Sequence, residues 1–102
     1  MTASRDDVER ELRRVVDRLN SMPLNRAAEA STAVQECAAD LVRLGRSWNV
    51  PIPAAAVLPT LEPQGFGSMI AVLGADCLDA TGADTDWEPM LATLVTLRRA
   101  LP

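Results

Sequence analysis

Between residues 8 and 22 the apolar side chains fall at Val8, Leu12, Val15, Leu19 and Met22, in steps of four, three, four and three. A helix of about 3.6 residues per turn brings such positions onto one face, whereas a strand would scatter them over two. Val16 widens the stripe, and Glu9, Arg10, Arg13, Arg14, Asp17 and Arg18 occupy the other side. Ser4 offers a capping oxygen, and Asp6 and Asp7 place negative charge where the helix dipole favours it. The spacing predicts a helix over 5–20, stopped by Pro23, which cannot continue the hydrogen-bonded ladder.

The same alternation returns at Ala27, Ala30, Val34, Cys37, Leu41, Leu44 and Trp48. It predicts a helix over 25–45, with Asn25 as its cap and Gly45 as the left-handed residue that closes it. The short link makes these two helices an antiparallel hairpin, approaching closely near the turn, where the second helix begins with alanines. Residues 49–64 behave differently. Pro51, Pro53, Pro59 and Pro63 exclude a long helix, yet Val50, Ile52, Val57, Leu58 and Leu61 are too apolar for a solvated linker. They read as an ordered crossover packed along the bundle.

A third helix is expected over 68–81, with Gly82 as its terminator. Met69, Ile70, Val72, Leu73, Cys77 and Leu78 make it apolar around most of its circumference, the pattern of a central or interfacial helix, and Gly74 permits close backbone approach. A fourth is expected over 86–100, burying Trp87, Met90, Leu91, Leu94, Leu97 and Leu101. Its start reads either as a Thr85/Glu88 capping box or as a cap at Asp86 with Pro89 in the first turn. Arg98 and Arg99 suit the negative end of its dipole.

The expected architecture is a single all-α domain: a four-helix bundle of two antiparallel helical hairpins joined by the proline-rich crossover. Its core should draw on Val8, Leu12, Val15, Leu19, Val34, Leu41, Leu44, Ile70, Leu73, Cys77, Leu91 and Leu94, with Trp48 and Trp87 at the bundle ends or against the crossover.

What such a bundle could do is narrowed mainly by what is missing. The 102 residues contain no histidine, so every Ser-His or Cys-His arrangement is excluded. Asp76 and Asp79, three apart on one helix, are the remaining acid-base pair, and burial of Asp76 would raise its pKa. Asp84-Thr85-Asp86-Trp87-Glu88 opens like a calcium loop, but Pro89 and Val95 stand where the loop needs its glycine and its final glutamate. Gly65-Phe66-Gly67-Ser68 follows no strand and has no cation beside it, so it reads as the start of a helix rather than an anion site. Cys37 and Cys77 sit on apolar faces and are expected as buried thiols, with no metal and no cofactor implied.

The arginine row at Arg10, Arg14 and Arg18, with Arg13 beside it, invites a nucleic-acid reading. Residues 1–46 carry as many acids as arginines, however, and the whole chain has a net charge of −4 and a pI near 4.6. A phosphate backbone is therefore not the expected partner, and the row reads as a solvated, ion-paired face. No stretch reaches the roughly 18 apolar residues of a membrane span, and the N-terminus runs into charged helix without a signal-peptide core. A cytoplasmic location is the expectation. All ten basic residues are arginine, a bias typical of GC-rich bacterial coding. The Trp-X-Gly turn of small secreted helical-hairpin proteins is absent, since Trp48 precedes Asn49 and Val50.

A mean hydropathy of +0.05 is high for a small water-exposed monomer, so a covered apolar surface is expected. The leading expectation is a non-catalytic protein-interaction module, a homodimer ahead of a pairing with another protein, with the third or fourth helix in the interface. Its interface would draw on Phe66, Met69, Val72, Leu78, Trp87 and Met90. The alternative is a bundle holding a small apolar ligand among Phe66, Met69, Cys77 and Met90. An enzyme built on Asp76 and Asp79 is the remote third reading.

Overall fold

A computed structural model describes residues 3–48, 65–79 and 85–101. They form five packed α-helices and no strand: α1 (Arg5–Ser21), α2 (Leu24–Glu29), α3 (Ser31–Ser47), α4 (Phe66–Leu78) and α5 (Glu88–Ala100). The expected crossover over 49–64 and the terminator Gly82 lie outside the described residues.

At the start of α1 the cap is reciprocal. Ser4 Oγ accepts from the Asp7 amide at 3.1 Å, and Asp7 Oδ2 accepts from the Ser4 amide at 3.0 Å. The bonds to Ser4 hold the exposed Asp7 carboxyl below its ordinary pKa.

The helix expected over 25–45 is broken in two. Asn25 does not cap it. Pro23 precedes the first turn, and the backbone leaves the helical region at Ala30 (φ −87°, ψ 1°) before α3 starts. Neither glycine nor proline marks the break, which turns both Ala27 and Ala30 into the core. Gly45 does not end α3 either: it is helical and buried, and the helix runs on to Ser47, with Trp48 closing onto the Leu44 and Gly45 carbonyls.

α4 starts earlier than expected, at Phe66, so Gly65-Phe66-Gly67-Ser68 forms its first turn. Trp87 occupies the cap position of α5, and Pro89 sits in the first turn. The Asp86 carboxylate accepts from the Glu88 amide at 3.1 Å, while Glu88 reaches across to the Ala3 amide at 2.7 Å instead of closing a box with Thr85.

The hairpin expectation fails at the level of neighbours. α1 and α3 each pack on both α4 and α5, whereas α1 against α3 and α4 against α5 make marginal contact. Helix directions follow from cross-helix pairs. Arg5 meets Leu78, Leu12 meets Gly74 and Asn20 meets Gly67, so α1 and α4 are antiparallel. Ala3 meets Glu88 and Glu11 meets Arg98, so α1 and α5 run the same way. Trp48 packs edge-to-face on Trp87 at 5.3 Å, at the junction of the end of α3 with the start of α5. Both tryptophans therefore sit at one end of the bundle, as expected from their size.

All twelve expected core residues pack in or against the core, Leu44 and Leu91 at its partly buried edge. Phe66, Met90 and Leu97 join them deep inside. Gly74 is where α1 comes nearest: a Cβ there would lie 2.6 Å from both terminal methyls of Leu12. Gly74→Val should lower stability by about 1–3 kcal/mol through overpacking, although valine is the better helix former. Gly67→Ala meets only the movable end of exposed Asn20 and should cost less. Urea unfolding of the two variants checks this. Equal stabilities would remove the close approach of α1 and α4 as a constraint.

Candidate functional site

The six residues expected to line an interface or a ligand site are separated by the fold. Phe66, Leu78, Trp87 and Met90 are buried in the core of the single chain, Met69 is half-buried against it, and Val72 is 58% exposed. Phe66, Cys77 and Met90 fill the interior and line none of the three principal grooves.

Val72 belongs to a row that the periodicity did not single out. α4 turns Ile70, Leu73, Gly74 and Cys77 inward, which leaves Ser68, Val72, Ala75 and Asp79 exposed along the opposite side. From Phe66 to Ala75 the helix carries no charge at all. Beside the row runs a groove of about 340 Å³ between α1 and α4, with Leu12, Val16 and Ala71 in its floor and Arg13 and Asp17 at its rim. The small size of Ala71 and Ala75 explains why sequence reasoning missed this surface: neither side chain is large enough to mark a face.

Asp76 is half-buried and Asp79 is exposed, and among the described residues no hydrogen bond or ion pair joins either to another side chain. Asp84 lies outside the described residues, and among those described no group of three or more Cys, Asp or Glu side chains could hold a metal. No described helix is long and apolar enough to cross a membrane.

Both cysteines are free and buried. Loss of hydration pushes the Cys37 thiol up to about 12, with Asp40 and Cys77 adding to it. Burial likewise pushes Cys77 up to about 11, with Asp76 adding and the Gly45 backbone opposing. Cys77 Sγ donates to the Leu41 carbonyl at 3.2 Å. Protonated and enclosed, these thiols are packing groups and poor nucleophiles. Cys37 also borders a groove of about 200 Å³ between α3 and α5, along with Glu36, Asp40, Thr93 and Thr96.

The remaining polar feature was unexpected. Glu11 is only 5% exposed and lies between α1 and α5. Arg98 Nε donates to its Oε1, and Arg14 Nη1 stands 3.5 Å from its Oε2. Nothing near Glu11 in the chain foretells this, since Arg98 comes from the far end of the sequence. Compared with known protein families, characterised proteins and solved structures, the chain matches none.

Proposed function

We propose that this chain is a non-catalytic interaction module that pairs with a second copy of itself through the outward face of α4. The observation that carries the reading is the uncharged row Ser68, Val72 and Ala75, flanked by the apolar floor of the α1–α4 groove. A face without charge is self-complementary. An isologous contact brings the same patch from both sides, so any charge near the axis would meet its own kind.

An antiparallel pairing of two α4 helices about Val72 also places Asp76 and Asp79 beside the partner's first helical turn. The positive dipole end favours carboxylates there. Arg13 and Asp17 then form a polar rim of mixed sign. The uncharged row is narrow against the roughly 800 Å² per partner of a standard interface, so affinity in about the micromolar range is expected.

Native mass spectrometry and sedimentation over a concentration series test this. The parent protein should dimerise without an added mass. Val72→Arg, which sets two arginines face to face at the axis, should raise the dimer dissociation constant at least about 100-fold. Its helicity and melting temperature should be unchanged, because Val72 is exposed on the monomer. A parent protein that stays monomeric at hundreds of micromolar rejects the pairing. A monomer retaining a reproducible extra mass would replace it with a ligand-holding bundle.

A further inference from the structure

Beside the uncharged row of α4 the fold leaves two opposite charges unused. Arg13 and Asp17 stand four residues apart on α1 at the rim of the α1–α4 groove, and both are exposed. Among the described residues neither makes an ion pair within 4 Å, with the other or with any neighbour. A basic residue that precedes an acidic one by four is the weaker order for a pair within a helix. Glu9, the remaining charge at the groove, is already held by Arg5 at 2.6 Å.

The packing of α1 on α4 sets the level of each side chain. Leu12 stands opposite Gly74 and Asn20 opposite Gly67, so Arg13 lies near the level of Leu73 and Asp17 near that of Ile70. At about 1.5 Å of rise per residue, Arg13 is about 2 Å to one side of Val72 and Asp17 about 3 Å to the other.

A two-fold axis that pairs two α4 helices antiparallel runs across them, in the plane of contact. It keeps α1 on the same side of α4 in both copies and reverses its direction. Arg13 of one copy then meets the partner's Asp17, and the reverse contact follows by symmetry. In level, each Arg13 is about 1–2 Å from the partner's Asp17 and about 3 Å from the partner's Arg13, so attraction outweighs repulsion. A parallel pairing would carry the two α1 helices to opposite sides and keep these groups apart.

We infer, given the α4 pairing, that Arg13 and Asp17 select a second copy of this chain and fix its antiparallel register through two reciprocal ion pairs. The apolar row supplies contact without direction, and the charges supply direction. Both pairs lie at the rim, where each contributes modestly to affinity.

The test is a charge exchange in the full chain, read by sedimentation and native mass spectrometry. Arg13→Asp and Asp17→Arg each set like charges against one another twice in a homodimer, and each should raise the dissociation constant about tenfold. Both substitutions in one chain restore opposite charges and should return the constant to within about threefold of the parent. An equal mixture of the two single variants should form the heterodimer in preference to either homodimer. Arg99→Asp alters net charge as much as Arg13→Asp does, at the exposed end of α5, which makes marginal contact with α4. It should leave dimerisation at the parental value. Helicity should be parental in every variant, because the substituted residues are exposed. A parent that stays monomeric takes down the α4 pairing and these contacts together. A parent that dimerises, loses its dimer through Val72→Arg and is indifferent to Arg13→Asp and Asp17→Arg overturns the ion pairs alone. So does a mixture of the single variants that gives no heterodimer.

Discussion

Taken from pH 8.5 to pH 11 under reducing conditions, the protein is expected to lose about 5 kcal/mol of stability, enough to unfold a domain of this size. The loss comes from Cys37 and Cys77, which are 3% and 0% exposed. Burial favours the neutral thiol, so the folded state keeps its protons up to about 12 and about 11, against 9.0 for a free thiol. Folded pKa values above unfolded ones mean that the stabilising contribution is complete below pH 9. It is lost as the pH rises through the folded values, because the unfolded chain releases its protons first. Each thiol contributes a slope approaching about 1.4 kcal/mol per pH unit.

The composition makes the experiment clean. The chain has no lysine and no tyrosine, and arginine stays charged beyond this range, so the two thiols are the side chains that titrate between pH 9 and 12. Urea unfolding at a series of pH values should show a steep decline in the parent. A Cys37→Ala/Cys77→Ala variant should start lower, from the cavities it creates, and stay nearly flat. A parent as flat as the variant would mean that the thiols are hydrated in the folded state.

Phe66→Ala should cost about 3–5 kcal/mol, the range for emptying a fully enclosed aromatic site. Phe66 is 2% exposed, in the first turn of α4, where it anchors the helix within the core. Val72→Ala, six positions along the same helix, should change monomer stability by less than about 0.5 kcal/mol. Denaturant midpoints of the two variants, read beside their dimer dissociation constants, distinguish core from surface on one helix. If Phe66→Ala kept parental stability and lost only dimerisation, Phe66 would belong to the interface after all.

α1 and α5 lie close to where periodicity and capping residues place them, because both signals are local. A 3.6-residue repeat states which face is apolar, and Ser4 and Pro89 state where a helix begins. The same logic picked out Gly74 as a point of close approach, though not Leu12 as its neighbour. It failed at Ala30, where a continuous periodic pattern is divided with no breaking residue present. It failed again at Gly45, a good terminator by residue type that stays helical because α3 buries it.

The candidate surfaces were legible in unequal measure. The arginine row could be read directly from spacing, yet its anchor could not: Glu11 is one acid among several on α1 until Arg98 arrives from α5. Val72 was named among six apolar candidates, and sequence alone had no means of parting it from Phe66, Leu78, Trp87 and Met90. An all-round apolar helix carries almost no directional signal, so its exposed side emerges only when its neighbours are in place.

What the chain determines by itself is therefore its helical class, its residue-level core and the exclusion of histidine-dependent chemistry. Tertiary structure decided which helices are neighbours. Each apolar stripe specifies that it must be covered without specifying by what, and burial energy is non-directional. Short links favoured α1 beside α3 and α4 beside α5, but in the folded protein both pairs are exchanged for α1 and α3 each packed on α4 and α5. The close fit of Leu12 over Gly74, the Glu11–Arg98 pair and the edge-to-face tryptophans exist only in that arrangement.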